Sequence, residues 1–174
     1  MKNISLVIGG SRSGKSRYSE EISKSLVDNP KKRYYIATAE AFDDEMKERI
    51  RIHRENRADD FITIEEPIKL SEAIESIADK ASIILIDCLT VWLGNLMYYK
   101  KEEELNKLYK SLEQLDIPIV MVSNETSWEV IPDNDEAREF INLSQNMNID
   151  IAKIADNLIL CMSGIPIAVK GELQ

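Results

Sequence analysis

The 174-residue chain lacks long apolar runs, is poor in cysteine and has a deficit of positive charge. Its two cysteines, Cys88 and Cys161, lie in or beside apolar runs, so we expect unpaired thiols and a cytoplasmic protein. No apolar run approaches the roughly 18 residues of a membrane-spanning helix, so we expect no membrane span. The 22 Lys and Arg against 31 Asp and Glu give a net charge of −9, which argues against a nucleic-acid partner.

A phosphate-binding motif directly follows the first apolar run. The segment 9–16 fits the pattern G-x-x-x-x-G-K-[ST], whose glycines let the backbone approach phosphate oxygens closely. The loop amides and the N-terminus of the next helix then form an anion site. We expect Lys15 to reach the β- and γ-phosphates and Ser16 to ligate Mg²⁺. The predicted phosphate-binding residues are Gly9, Gly10, Ser11, Arg12, Ser13, Gly14, Lys15 and Ser16.

Apolar runs typical of strands alternate along the chain with segments typical of helices. Runs 82–87 and 117–123 are continuously apolar, as in central parallel strands buried on both faces. We predict an α/β fold of the RecA-like P-loop NTPase type, a single domain over 1–174 with a mostly parallel sheet and helices on both faces. The predicted strands are 4–8, 33–38, 61–66, 82–87, 117–123, 157–162 and 166–170. The predicted helices are 15–27, 43–57, 69–79, 101–115 and 136–156, with 98–110 interpreted as a solvated helix face.

Asp87 ends the apolar run 82–87. An aspartate in this position is typical of the second half of a P-loop nucleotide site, where it holds Mg²⁺ directly or through water. The same residue type also suits the N-cap of a following helix. Because the phosphate loop is present, the metal role is favoured.

The chain has one histidine, His53, in a segment predicted to be helical. It continues an apolar stripe formed by Met46 and Ile50, and this spacing alone favours a residue packed near the core. Arg54 and Arg57 follow it, however, and arginines can gather phosphate groups. Neighbouring positive charge favours a neutral imidazole, which can attack phosphorus and form a phosphoramidate. Spacing and charge leave both interpretations open.

A set of segments occurs in a characteristic order along nearly the whole chain: "GGSRSGKSRYSE", "YIATAEAFDDEMKERIRIHRENR", "TIEEP", "LIDCLTVWLGNL", "VSNE" followed by "IP", "AREF" and "SGIPIAVK". In this set the chain resembles the bifunctional adenosylcobinamide kinase / adenosylcobinamide-phosphate guanylyltransferase family of cobalamin synthesis. Such enzymes phosphorylate adenosylcobinamide with ATP or GTP. They then transfer GMP from GTP to the resulting phosphate through a guanylylated histidine.

The resemblance assigns roles to individual residues. It implies that His53 is the nucleophile, that Lys15 is catalytic, and that Ser16 and Asp87 hold Mg²⁺. It also implies a homo-oligomer, expected to be a trimer. The further nucleotide-binding residues that it implies are Ala37, Thr38, Ala39, Arg54, Glu55, Asn56, Arg57, Glu65 and Asp87.

The chain departs from the family pattern at three places. Ile52 occupies a position where the family often has a second histidine, "TSWEVIP" replaces a glycine-containing turn, and "FINLSQNMNID" keeps few of the usual residues. We expect the region 126–149 to serve the corrinoid substrate or a subunit contact. Two other interpretations stay open: a different P-loop small-molecule kinase in which His53 is structural, and a non-enzymatic nucleotide sensor.

Overall fold

Strands and helices alternate along the chain as they do in α/β proteins. The computed structural model describes residues 3–29, 32–41, 44, 47, 48, 51, 55, 60–126, 128 and 132–173. The strands are β1 (Ile4–Gly9), β2 (Arg33–Ala37), β3 (Ile62–Glu65), β4 (Ile83–Asp87), β5 (Ile119–Asn124), β6 (Asn157–Met162) and β7 (Ile165–Lys170). The helices are α1 (Lys15–Leu26), α2 (Leu70–Ile77), α3 (Leu89–Tyr99), α4 (Glu104–Gln114) and α5 (Asp135–Ile154).

The strands form one seven-stranded sheet in the order β3-β2-β4-β5-β1-β6-β7. All neighbours are parallel except β7, which forms an antiparallel hairpin with β6. Parallel strands end at the same edge of a sheet, so Gly9, Asp87 and Glu65 end their strands at one edge. This edge is where ligands bind in open α/β sheets.

Side chains alternate between the two faces of the sheet and build a hydrophobic cluster on each. On one face, Val7, Leu85 and Val122 pack with Ile22 of α1. The other face is covered by α2 to α5, which contribute Leu70, Trp92, Leu108 and Met147 among others. The strands therefore read as continuous apolar runs because both of their faces are buried.

All seven predicted strands are present, each within two residues of its predicted bounds. Helices α1, α2, α4 and α5 are also present. The predicted helix 43–57 lies mostly outside the described residues, although positions 44, 47, 48, 51 and 55 are helical. Among the described residues, no helix combines the length and hydropathy needed to cross a membrane.

Helix α3 is the main feature that the sequence did not predict. Its residues Leu89, Trp92, Leu93 and Leu96 are fully buried, and the Trp92 indole N–H donates to the carbonyl of Ile68 at 2.7 Å. The segment mixes β-branched residues with a glycine and is apolar on several sides, so it lacks the clear amphipathic period of a surface helix.

The segment 98–110, interpreted as a solvated helix face, is mostly exposed but is not one continuous helix. The segment includes the end of α3, a turn and the first half of α4. Lys100 adopts a left-handed conformation that terminates α3 (φ 55°). Leu108 is fully buried and Glu104 is also buried, so α4 packs its apolar side into the core, against α2 and α5.

Candidate active site

The loop between β1 and α1 has the backbone that its glycines predict. Gly14 has φ 93° and Arg12 has φ 57°, so the chain turns through left-handed conformations before the helix. A Cβ at Gly9 would lie 2.5 Å from the carbonyl oxygen of Cys161 on the neighbouring strand. No side chain caps the first turn of α1, whose N-cap residue is Gly14. The loop is therefore shaped for close backbone approach to an anion.

Lys15 lies back over the loop rather than in solvent. Its Nζ donates to the carbonyl oxygen of Gly10 at 3.0 Å, and the residue is only 8% exposed. Burial raises the pKa of both Cys88 and Cys161, and the Lys15 charge opposes that rise, as expected for an ammonium near the ends of β4 and β6. The ammonium is thus held at the loop, as a phosphate ligand requires.

The remaining loop residues differ in exposure. Ser11 and Arg12 are exposed and Ser16 is half-buried in the first turn of α1. Ser13 is buried, and its hydroxyl has no hydrogen-bond partner among the described residues. A buried hydroxyl without a partner is costly unless a ligand satisfies it, which fits a loop that closes around phosphate oxygens.

The turn between β6 and β7 supports the phosphate loop from the side. The Gly164 N–H donates to the Ser13 carbonyl at 2.9 Å, and a Cβ at Gly14 would lie 3.1 Å from the Gly164 Cα. Ser163 and Gly164 both have positive φ. The sequence marked "SGIP" only as part of the resemblance, and its contact with the loop was not predicted. The Ser-Gly pair itself was the available signal, since it is typical of a tight turn.

Asp87 lies at the carboxyl end of β4, beside Ala37 of β2. Its Oδ2 accepts a hydrogen bond from the Tyr35 hydroxyl at 3.0 Å, and its backbone carbonyl accepts one from the Thr38 N–H. The N-cap of α3 is Cys88, whose Sγ accepts from the Val91 N–H at 3.4 Å. The alternative role of Asp87 as the cap of the next helix is therefore wrong.

Thr38 links the ends of β2 and β4 through hydrogen bonds. It is fully buried, and its Oγ1 donates to the Cys88 carbonyl at 2.8 Å and accepts from the Cys88 N–H at 2.9 Å. Asn95 of α3 donates to the Thr38 carbonyl at 2.8 Å and to the Pro67 carbonyl at 3.1 Å. The predicted residue Thr38 is thus a fixed part of the edge, flanked by the half-buried Ala37 and Ala39.

Other predicted nucleotide residues lie farther along the same edge. Ala37 pairs with Glu65 on β3, so these residues and Asp87 end three adjacent strands. The neighbouring Glu66 accepts from the N–H groups of Ile68 and Lys69, which fixes the start of α2. Glu55 is exposed and accepts from Arg51. The predicted residues outside the described part of the chain are His53, Arg54, Asn56 and Arg57.

A second polar network, at the end of β5, was not predicted. The Thr90 hydroxyl lies 3.2 Å from that of Ser123 and accepts from the Asn124 N–H at 2.6 Å. The Asn148 side chain of α5 donates to the Asn124 carbonyl at 3.0 Å. Single Thr and Asn residues within helices give no sequence signal of this kind, because their partners are distant in the chain.

Two predicted Mg²⁺ ligands, Ser16 and Asp87, are hard oxygen donors of the type that Mg²⁺ prefers. Within the described ranges, no group of three or more His, Cys, Asp or Glu side chains could hold a metal ion. A site with one carboxylate and one hydroxyl fits Mg²⁺ only if substrate phosphates and water complete the coordination, as they do in nucleotide-dependent enzymes.

Both cysteines are unpaired, as predicted. Burial raises the pKa of the Cys88 thiol to about 12, and the adjacent Asp87 carboxylate adds to this shift. Burial also raises the pKa of Cys161. Neither thiol is therefore activated as a nucleophile, although both are close to the phosphate loop.

Comparison with known proteins identifies the family. A sequence model described as "Cobinamide kinase / cobinamide phosphate guanyltransferase" matches residues 5–169. The chain belongs to this family. It is 35% identical over 171 residues to the bifunctional adenosylcobalamin biosynthesis protein CobP of Pseudomonas aeruginosa, covering 96% of this chain and 97% of that protein. It is 31% identical over 182 residues to CobU of Escherichia coli K12, covering 95% and 98%.

Family membership confirms the recognition from sequence and the predicted enzyme class. The cobinamide kinase / cobinamide phosphate guanyltransferase family joins kinase and nucleotidyltransferase chemistry in one chain. The two interpretations left open, an unrelated small-molecule kinase and a non-enzymatic sensor, account less well for a match that covers nearly the full length.

Solved structures confirm the predicted fold class. The KaiC-like protein PH0186 of Pyrococcus horikoshii OT3 superposes with a TM-score of 0.56 at 12% identity, covering 91% of this chain and 70% of that one. The flagellar accessory protein FlaH of Methanocaldococcus jannaschii gives the same TM-score and identity, covering 99% and 82%. At this identity the likeness concerns the fold alone.

The contacts at the phosphate loop predict the effect of a methyl group at Gly9. In Gly9→Ala, the added Cβ would lie 2.5 Å from the carbonyl oxygen of Cys161. Overpacking of this kind costs about 1–3 kcal/mol, because the backbone of the loop must shift to relieve it. We expect Gly9→Ala to raise the Kd for GTP by about tenfold or more. Gly94→Ala in α3, whose added Cβ would lie 3.9 Å from the Phe140 ring, is the matched control and should bind as the wild type does. Equal affinities in a calorimetric titration would contradict this account of the loop.

The raised thiol pKa predicts slow alkylation of Cys88. Because its pKa in the folded protein is about 12, against an ordinary value of 9.0, the thiolate at pH 8 is about a thousandfold scarcer than usual. The native protein should therefore resist iodoacetamide at pH 8, and the urea-unfolded chain should react readily. The protonated thiol stabilises the fold fully below pH 9, and this contribution is lost as the pH rises towards 12. Rapid labelling of native Cys88, measured by mass spectrometry, would show that the thiol is activated.

Proposed function

We propose that this chain phosphorylates adenosylcobinamide with ATP or GTP and transfers GMP from GTP to adenosylcobinamide phosphate through a guanylyl intermediate on His53. The observation that carries the proposal is the phosphate loop 9–16, with Lys15 folded over it, at the sheet edge that also carries Asp87. The family match supports the reaction pair. The product of the two steps is adenosyl-GDP-cobinamide, an intermediate of cobalamin biosynthesis.

In the guanylyl-transfer step, the triphosphate of GTP docks on the loop amides and Lys15. A nitrogen of the His53 imidazole attacks the α-phosphorus, the bond from that phosphorus to the bridging oxygen breaks, and pyrophosphate leaves. Lys15 and the arginines at positions 54 and 57 stabilise the charge on the phosphates. The phosphate of adenosylcobinamide phosphate then attacks the same phosphorus, and the N–P bond breaks to restore the imidazole.

In the kinase step, the hydroxyl oxygen of the aminopropanol arm of adenosylcobinamide attacks the γ-phosphorus and gives up its proton to solvent. The bond from that phosphorus to the bridging oxygen breaks, and the nucleoside diphosphate leaves. This step does not need His53. Ser16 and Asp87 would hold Mg²⁺ together with the substrate phosphates, and the ion would neutralise the charge that develops during phosphoryl transfer. The hydrogen bond from Tyr35 keeps the Asp87 carboxylate in place at the edge.

The partners that we propose are the nucleotide and the corrinoid, with a homo-oligomer as the working form, a trimer by family resemblance. An exposed apolar face on the edge strand β7 supports self-association. Ile165, Ile167 and Val169 lie on one side of that strand and are 63%, 41% and 59% exposed. Contiguous exposed apolar residues of this kind mark contact surfaces.

A single domain over 1–174 and a cytoplasmic location stay predictions. The single sheet, whose strands run from residue 4 to residue 170, supports the single domain.

Labelled GTP tests the covalent step. Wild-type protein incubated with Mg²⁺ and α-phosphate-labelled GTP should retain label after denaturation, and acid but not alkali should release it, as for a phosphoramidate. Label in the γ position should not be retained, because it leaves with pyrophosphate. His53→Ala should abolish labelling while it still binds GTP. Lys47→Ala, an exposed residue of the same segment, is the matched control and should label normally. Equal labelling of His53→Ala, or no label on wild-type protein that binds GTP, would overturn the covalent role.

The apolar face of β7 predicts that charge at its exposed positions dissociates the oligomer. We expect the double variant Ile165→Lys/Val169→Lys to sediment as a smaller species than the wild type, because burying two ammonium groups is costly. Gln114→Lys/Asn142→Lys makes the same type of change at exposed helix positions away from β7 and should sediment as the wild type does. A monomeric wild type, or an unchanged double variant in analytical ultracentrifugation, would remove β7 as the contact.

A further inference from the structure

A groove of about 280 Å³ lies between α5 and the sheet, on the face opposite α1. The sheet contributes Leu6, Ile8 and Leu158 to its floor, and α5 contributes Asn148 and Ala152 to its wall. Ile149 lines the open side of the groove and is 53% exposed. Of the residues predicted to bind nucleotide, none that the structure describes lines this groove.

The groove reaches the phosphate loop at one end. Ile8 immediately precedes Gly9, the first residue of the loop. Glu125 also lines the groove, and its backbone N–H donates to the Gly9 carbonyl at 3.0 Å. A ligand in the groove would therefore point one end at the sheet edge that holds the phosphates.

One wall of the groove carries a buried polar atom that the described residues leave unsatisfied. The side chain of Asn148 is fixed because its Nδ2 donates to the Asn124 carbonyl at 3.0 Å. Its Oδ1 has no hydrogen-bond partner among the described residues, although Asn148 is only 8% exposed. An amide oxygen in this position requires an N–H or O–H donor, and burial without one is unfavourable. A ligand that fits the groove is thus mostly aliphatic and carries a hydrogen-bond donor.

The size and position of the groove narrow the choice of ligand. Pockets for drug-sized ligands occupy roughly 300–1,000 Å³, so this groove suits a short arm rather than a complete macrocycle. In the sheet, β1 and β6 lie on one side of β5, and β4, β2 and β3 lie on the other. The predicted GTP residues Ala37, Glu65 and Asp87 are on the second side. The groove, lined by β1 and β6, therefore lies on the opposite flank of the phosphate loop from those GTP residues. A second substrate could bind there without contacting them.

We propose that this groove binds the aminopropanol arm of the corrinoid acceptor, with the hydroxyl end towards Ile8 and the phosphate loop and a donor of the arm on Asn148 Oδ1. This inference rests on the proposed function and adds to it the place of the acceptor. An aminopropanol arm is short and aliphatic, and it carries both an O–H and an N–H donor. These properties match the apolar floor and the Asn148 oxygen, which has no hydrogen-bond partner among the described residues.

Two variants that narrow the groove test the proposal. Ala152→Leu fills its wall, and Ile149→Trp covers its open side from an exposed position where folding is not at risk. Each should raise the KM for cobinamide in the phosphorylation assay by about tenfold or more, while the Kd for GTP changes by less than about twofold. Ala137→Leu, in the first turn of α5 and outside the groove, is the matched control and should leave both constants unchanged.

The possible outcomes distinguish a failure of the groove assignment from a failure of the proposed function. If wild-type protein phosphorylates cobinamide and both groove variants keep the wild-type KM, the groove is not the acceptor site although the function stands. If the variants weaken ATP or GTP binding and leave the KM for cobinamide unchanged, the groove holds a nucleobase and the proposal is overturned. If the wild-type protein neither binds nor phosphorylates cobinamide, the proposed function fails and the assignment of the groove fails with it. Should Ala152→Leu not fold, the result with Ile149→Trp decides.

Discussion

The parallel register of β1, β5, β4 and β2 is the constraint on which the active site depends. Parallel strands end at one edge of the sheet, so residues distant in the chain meet there. Gly9, Asp87 and Ala37 are brought together at this edge. The register in turn depends on strands that are apolar on both faces, since a slip by one residue would exchange the two hydrophobic clusters. The core thus fixes the spacing between the phosphate loop and the carboxylate proposed to hold Mg²⁺.

Most of the fold could be predicted from the sequence because its strands give an unambiguous signal. The central parts of the runs 82–87 and 117–123, namely 83–86 and 117–122, are apolar without interruption, as expected for strands buried on both faces. Helix α3 could not be predicted in the same way. Its fully buried Trp92 and Leu93 are accompanied by apolar neighbours on other sides, so no amphipathic period distinguishes it from a strand or loop.

The candidate site divides in a similar way between local and non-local features. The phosphate loop was predicted because its chemistry is contained in eight consecutive residues, and the structure gives Gly9 and Gly14 the conformations and close contacts that the motif requires. The contact of Gly164 with Ser13 was not predicted, because it joins residues about 150 positions apart. The cap of α3 is Cys88, one residue after Asp87, and sequence propensity does not resolve a difference of one residue at a helix end.

The net charge of −9 is compatible with the proposed triphosphate site because the electrostatic field that acts on bound phosphates is local. Lys15 is held by a backbone carbonyl at the loop, and the loop amides add fixed partial charges that do not depend on the rest of the surface. The acidic surface instead disfavours polyanions that would compete for the loop. A small nucleotide whose charge is partly neutralised by Mg²⁺ is repelled much less by the acidic surface.

The two reactions proposed for this chain place different demands on one phosphate site. Attack on the α-phosphorus and attack on the γ-phosphorus require nucleophiles at positions separated by the length of the phosphate chain. The sheet offers two flanks beside the loop: the ends of β4, β2 and β3, and the groove under α5 that begins at Ile8. On the proposed assignment, the corrinoid arm approaches from the second flank while the residues implied for GTP lie on the first. Separate flanks allow one loop to serve both steps, because neither substrate then has to leave before the other can bind.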